Sequence, residues 1–233
     1  MKIAALNIAT GPYIGLFERS KECIKNNFLT YHEVDIFLFT DSEEKYVDED
    51  INIKQYYIKR RGYPGDTLFR YHYFLLAEEE LKQYDYIFYI DVDMNVVSEV
   101  NEDVFGDLVA TLHPGFYKRA GATFESRKSS TAYVEPSGDT RYFCGGFQGG
   151  TSENYLNASK KINENINIDG KKRIIAIWHD ESHWNAYLRQ VEPTLVLDPK
   201  YCYPEEGYAW LDEFKDTKKI IATLKDEDKL RNV

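Results

Sequence analysis

The residues most able to do chemistry stand directly behind an apolar run, Tyr86-Ile87-Phe88-Tyr89-Ile90, and read Asp91-Val92-Asp93. On an extended chain, residues two apart point to the same side, so the two carboxylates can converge on one hard divalent cation. Mn²⁺, or Mg²⁺ in its place, would bridge two phosphates there and neutralise a departing nucleotide diphosphate. Acidic residues after a strand also serve plain structural roles, and the buried run in front is what favours the metal reading. Trp178-His179-Asp180-Glu181-Ser182-His183 sets five polar groups behind one aromatic, a cluster that is costly to bury for packing alone. His179 and His183 have helical zinc spacing, but Asp180 stands where the zincin pattern requires Glu. The same stretch reads as a helix N-terminus with Asp180 or Ser182 as cap, which is compatible with binding an anion. Two further islands are Leu112-His113-Pro114-Gly115-Phe116-Tyr117 and Cys144-Gly145-Gly146-Phe147-Gln148-Gly149-Gly150. Paired glycines admit a ligand close to the backbone and also mark turns. Spacing alone favours the turn, and His113 alone reads as a structural histidine.

The elements that must position these groups follow a βαβ rhythm in the first half. Residues 2–9 read as a strand, 13–28 as a helix after Thr10-Gly11-Pro12, and 33–39 and 51–58 as strands. A helix over about 66–82 follows Gly62-Tyr63-Pro64-Gly65, and the run 86–90 is apolar enough to be buried on both sheet faces. This predicts an open, mostly parallel α/β sheet whose ligands bind beyond the C-terminal strand ends, where Asp91 and Asp93 lie. The second half is less regular, with helices predicted over 154–163 and from 181 to 189. The charged residues 215–233 read by default as a frayed tail.

The 233 residues suit one α/β domain. A formal net charge of −10 argues against a nucleic-acid partner. The 15% aromatic content, with 19 Tyr, suits sugar faces and also an ordinary Tyr-rich core. Cys23, Cys144 and Cys202 form no CxxC pair, and they read as reduced thiols of a cytoplasmic-type protein. The opening apolar run is too short for a membrane span and carries no cleavage pattern, so neither a membrane anchor nor a signal peptide is expected.

Taken together, DVDM at residues 91–94, TLHPGFY at 111–117, YFCGGFQGG at 142–150 and WHDESH at 178–183 resemble glycosyltransferase family 6, in their order and spacing as well as their content. This is the family of the blood group A and B transferases and the α-1,3-galactosyltransferases. The likeness runs from Ile8 to Arg231. It implies a GT-A fold, a single Rossmann-like α/β domain over 1–233, and a UDP-galactose or UDP-N-acetylgalactosamine donor. By resemblance, Ile8, Ala9, Thr10 and Tyr13 hold the uracil and ribose, with Arg70 and Val92 nearby. Asp91 and Asp93 bind Mn²⁺ against the pyrophosphate. Asp180 holds the donor sugar, and Tyr142, Cys144, Gly145 and Gly146 shape its pocket. His113, Thr123, Tyr142, Trp178 and Glu181 line the acceptor, while Lys225 and Arg231 in the tail 215–233 close over the diphosphate. The chain resembles the short, anchorless bacterial or viral type. It keeps both aspartates that many bacterial members replace with asparagine. Its stretch Lys200-Tyr201-Cys202-Tyr203-Pro204-Glu205 departs from the animal acceptor loop.

The implied activity is retaining α-1,3 transfer of N-acetylgalactosamine or galactose to a galactose-containing glycan. Retention requires a stabilised leaving group and a shielded opposite face of the anomeric carbon. Glu181 is the candidate catalytic residue, as nucleophile or as a carboxylate beside an oxocarbenium-like centre. The rivals are a metal-dependent UDP-sugar hydrolase and a glycan-binding module without turnover.

Overall fold

The computed structural model describes residues 1–231, so the last two residues of the expected tail, Asn232 and Val233, lie outside the described residues. The first strand, β1 (Lys2–Ile8), shows why the sheet lies at the centre. Ile3 and Ala5 pack into one apolar cluster while Ala4 and Leu6 pack into another on the opposite face, and all four are fully buried. Each such aliphatic side chain removed from water contributes about 1–3 kcal/mol.

A 3₁₀ turn over Gly11–Leu16 leads into α1 (Phe17–Asn27), which buries Phe17 and Ile24 against the first cluster. β2 (Glu33–Thr40) and β3 (Asn52–Tyr57) follow. The single helix expected over 66–82 is three short ones, α2 (Gly65–Leu68), α3 (Arg70–Leu76) and α4 (Glu78–Leu81). Phe69 and Ala77 break it, both near φ −100°, ψ 13°, where the α ladder is interrupted. β4 (Tyr86–Ile90) is the buried run before the aspartates, and β5 (Met94–Val96) and β6 (Leu108–Leu112) follow it.

The glycine-rich segment corrects the turn expectation. Phe143–Thr151 is a nine-residue strand, β7, antiparallel to β4 on one side and β6 on the other. Gly149 and Gly150 lie where neighbouring backbone comes too close for a side chain. A Cβ at Gly149 would sit 2.5 Å from the carbonyl oxygen of Ile87.

Helix α5 (Ser152–Lys171) is longer than expected, and α6 (His179–Leu188) begins two residues earlier than expected. Strands β8 (Leu195–Leu197), β9 (Tyr203–Pro204) and β10 (Ile220–Ala222), with α7 (Glu227–Arg231), complete the described chain. The main sheet has the order β3-β2-β1-β4-β7-β6-β8 and is parallel except at β7, an α/β architecture of the GT-A type. Helices α3, α5 and α6 cover one face through Tyr71, Tyr155 and Trp184.

A small second sheet, β5-β10-β9, overturns the frayed-tail expectation for the described residues. β10 pairs antiparallel with β5, and Thr223 donates from its backbone N (3.0 Å) and hydroxyl (2.7 Å) to the Asp93 carbonyl. The tail is thereby hydrogen-bonded to the strand end that carries the acidic pair.

The steric role of Gly149 gives a direct test. Gly149→Ala is expected to destabilise the fold by about 1–3 kcal/mol in urea denaturation. Gly170→Ala, at a helical position with nothing within 4 Å, is expected to be neutral or stabilising by up to about 1 kcal/mol. Equal effects of the two changes would contradict this account of β7.

Candidate active site

Five elements meet at the C-terminal edge of the parallel strands. β1 delivers Ile8 and Thr10, and β4 delivers Asp91, Val92 and Asp93. The start of β7 contributes Gly145 and Gly146, the start of α6 contributes Trp178, His179, Asp180 and Glu181, and the tail contributes Lys225, Leu230 and Arg231. Together with Tyr13 and Arg70 they line a cavity of about 460 Å³, within the range usual for small-molecule sites.

Arg70 stands at the back of this cavity, 5% exposed. Its Nε lies 2.9 Å from Asp180 Oδ2, its Nη1 donates to the Gly145 carbonyl at 2.5 Å, and its Nη2 reaches Asp91 Oδ1 at 3.5 Å. The guanidinium packs 4.3 Å over the Tyr89 ring, and the Tyr89 hydroxyl donates to Asp91. Burial alone would lower the Arg70 pKa, but Asp180, Tyr89 and Asp91 raise it, so the residue stays cationic. Asp180 is thus directed to Arg70 rather than to capping α6. Ser182 instead accepts from the Trp178 backbone N at 2.9 Å, which satisfies one N-terminal donor from within the helix.

Glu181 Oε2 accepts from the Gly145 backbone N at 2.7 Å. Desolvation in the cavity wall raises the Glu181 carboxyl to about 7, against the opposing pull of that hydrogen bond. Desolvation likewise raises Asp180 to about 7, with Arg70 opposing and Glu181 adding to the rise.

Asp93 forms an ion pair with Lys225, whose ammonium lies 5.5 Å over the Tyr13 ring. Arg231 packs 4.1 Å over Tyr63, which in turn meets His179 edge-on at 5.2 Å. The tail therefore forms one wall of the cavity.

Among the described residues, no group of three or more His, Cys, Asp or Glu gathers as a ligand set. Asp91 and Asp93 offer an all-oxygen pair at a strand end, with side-chain exposures of 33% and 13%. That suits a hard cation which completes its shell with phosphate oxygens and water, and it does not suit zinc.

The remaining expected residues stand apart from the lining. Ala9 is buried behind it, and Cys144 is buried in the core with Cys202 beside it. His113 and Tyr142 meet at 5.7 Å between ring centroids. Burial holds His113 neutral, down to about 4. Burial first, and then Glu181 as its nearest charge, raises the Tyr142 phenol. Thr123 is exposed on the long connection between β6 and β7. Conversely, Arg60, Tyr63, Asp66 and Tyr89 line the cavity without having been expected there. Tyr89 was legible, because it precedes Asp91 by two and so shares its side of the strand.

The sequence profile of glycosyltransferase family 6 matches residues 72–232. The chain belongs to that family. It is similar to the O-antigen biosynthesis glycosyltransferase WbnI of Escherichia coli, 27% identical over 98% of this chain and 96% of that protein. It is also similar to the histo-blood group ABO system transferase 1 of Rattus norvegicus, 30% identical over 94% of this chain and 66% of the relative. A third relative is the globoside alpha-1,3-N-acetylgalactosaminyltransferase 1 of Gallus gallus, 26% identical over 88% of this chain and 62% of that protein. The chain thus spans nearly the whole bacterial relative and just under two thirds of the two animal ones. Family membership makes this a glycosyltransferase, with a nucleotide-sugar donor and a glycan acceptor. No helix among the described residues is long and apolar enough to cross a membrane.

The raised carboxyls have a consequence for stability. Glu181 binds its proton more tightly folded than unfolded. The stability linked to it is full below about 4.5 and is lost as pH rises through about 7. Glu181→Gln is therefore expected to lose less stability than wild type across that window, measured by urea denaturation at stepped pH. Parallel pH profiles for the two proteins would show that Glu181 titrates normally.

Proposed function

We propose that the protein is a single GT-A catalytic unit that transfers N-acetylgalactosamine, or galactose, from its UDP derivative to a galactose-containing glycan, with α-1,3 linkage, retention and Mn²⁺ dependence. The observation that carries this reading is the cavity itself. It brings an acidic pair, a buried arginine, two tail cations and the adjacent carboxyls Asp180 and Glu181 to one strand edge. The relatives named for α-1,3-N-acetylgalactosaminyl transfer support the linkage and the donor sugar.

Asp91 and Asp93 would hold Mn²⁺, with Mg²⁺ as the alternative, and the cation would neutralise charge on the departing diphosphate. Ile8, Thr10, Tyr13 and Val92 bind the nucleoside end, with the buried Ala9 backing them. Lys225 and Arg231 reach the diphosphate from the tail, and Lys225 exchanges its contact with Asp93 for a phosphate. Asp180, fixed by Arg70, receives the donor-sugar hydroxyls. Glu181 is held by the Gly145 N–H and, once deprotonated, presents its charge to the cavity beside the carbon that becomes cationic. A fixed anion in a water-poor site stabilises such a transition state more than water can. Cys144 backs the sugar pocket from the core, while His113, Thr123, Tyr142 and Trp178 contact the acceptor. In this reading the protein works in the cytoplasm.

The test is UDP release measured across UDP-sugars with and without a galactoside acceptor. Acceptor-dependent release is expected, abolished by EDTA and restored by Mn²⁺ better than by Ca²⁺. Acceptor-independent release would indicate a hydrolase. Glu181→Gln should lower kcat by about 10²-fold while leaving UDP affinity nearly unchanged. A folded variant with near-normal kcat would remove Glu181 from the mechanism.

Donor choice rests on Gly146. A methyl added there would lie 2.6 Å from Met94 Sδ and 3.3 Å from Asp91 Oδ2, so it fills space beside the acidic pair. Wild type is expected to use UDP-N-acetylgalactosamine faster than UDP-galactose. Gly146→Ala should shift the kcat/KM ratio towards galactose by roughly ten-fold. An unchanged ratio would place the acetamido group elsewhere.

A further inference from the structure

The segment between α5 and α6 reverses the ordinary rule for which side chains are buried. Across Ile175-Ala176-Ile177, the small Ala176 is 1% exposed, whereas Ile175 and Ile177 are 51% and 45% exposed and the adjoining Trp178 is 46% exposed. Loose packing does not cause this. Ala176 packs with Ala132, Val134 and Ala186, the Ile177 backbone N donates to Glu125 Oε2 at 2.9 Å, and Arg127 donates to the Ile175 carbonyl at 2.5 Å. The backbone is therefore fastened with its large apolar side chains held outwards.

The same face is cationic in a chain whose formal net charge is −10. Lys171, Lys172 and Arg173 are consecutive and exposed, and Lys128 is exposed on the neighbouring loop, which Lys172 Nζ joins through the Ser129 carbonyl at 3.2 Å. Two acids behind this face are committed inward: Glu125 is 2% exposed and pairs with Arg127, and Asp169 is 1% exposed and binds Ser130 and Thr131, while the exposed Glu135 accepts from the Tyr133 hydroxyl. One cation at the end of α5 is explained by the helix dipole. Three in a row beside outward isoleucines are not.

We propose that this face binds an anionic lipid surface, with Ile175, Ile177 and Trp178 entering the interface and Lys171, Lys172 and Arg173 meeting the headgroups. Cations at the headgroup level beside apolar and aromatic side chains are the composition of interfacial membrane binding, and the acidic remainder of the protein restricts contact to this one side. Trp178 also lines the donor cavity, so the contact sets the cavity mouth against the membrane. An acceptor carried on a lipid would be presented there. That last consequence rests on the transferase reading, whereas the lipid contact does not.

The test is co-sedimentation of the protein with phosphatidylcholine vesicles with and without phosphatidylglycerol, followed also by tryptophan emission. Binding to the anionic vesicles with a blue shift is expected, weakened about ten-fold or more by high salt or by Lys171→Gln/Lys172→Gln/Arg173→Gln. Ile175→Ser/Ile177→Ser should also weaken it, with circular dichroism and melting temperature unchanged in both variants. Absence of binding, equal binding to neutral vesicles, or binding of either variant as tight as that of the wild type would overturn the proposal. Capture by soluble dextran sulfate that is indifferent to Ile175→Ser/Ile177→Ser would overturn it in favour of a polyanion site. A vesicle-independent dimer lost in Ile175→Ser/Ile177→Ser would overturn it in favour of self-association. UDP release with a soluble acceptor reports separately on the transferase reading.

Discussion

A buried guanidinium must be surrounded by acceptors, and the cavity is organised around that requirement. Arg70 sits on a helix, yet its partners come from three other elements: Asp180 from α6, the Gly145 carbonyl from β7 and Asp91 from the end of β4. Removing one member of such a set typically costs about 3–5 kcal/mol, because the partners are left charged and dry. The ion network thus links correct folding to the positions of Asp180 and Asp91.

The same burial sets the electrostatic character of the two neighbouring carboxyls. Asp180 is placed against the guanidinium, while Glu181, one residue on, accepts from the Gly145 N–H. Adjacent acids in one helical turn are in this way given different partners. Asp180 is engaged structurally, and Glu181 is left facing the cavity. β7 supports both through its backbone, with the Gly145 carbonyl turned to Arg70 and its N–H to Glu181. The strand lies within contact of all three side chains, the nearest atoms to a notional Cβ at Gly145 being 3.4–3.5 Å away on Arg70, Asp180 and Glu181.

The parts of this arrangement legible in the sequence are those carried by local pattern. β4 is a continuous apolar run buried on both faces, β1 and β2 carry shorter ones, and the acidic pair follows β4 as the rule for open α/β sheets requires. β7 was misread because its glycines look like turn residues. The reason for Gly149 and Gly150 is the backbone of adjacent segments, which no local pattern records. The break between α2 and α3 was invisible for a related reason, since Phe69 is not a helix breaker and tertiary packing imposes its conformation. The short strands β5, β9 and β10 hold two or three residues each, too few for any periodicity to register. Their pairing is what converts a charged tail into a wall of the cavity. Arg70 entered the sequence account only through family likeness. Its partners, two carboxylates and a backbone carbonyl, lie 21, 110 and 75 residues further along the chain.

The account's central claim is that the Arg70 network makes the donor site rather than merely stabilising the fold. It is tested most directly by UDP with Mn²⁺ as a thermal-shift ligand on the double variant Arg70→Met/Asp180→Leu. Apolar replacement of a whole buried ion pair is commonly tolerated, so the variant should unfold cooperatively. The account predicts that UDP raises the melting temperature of the wild type and leaves that of the double variant unmoved. An equal UDP-dependent rise in both proteins would contradict it.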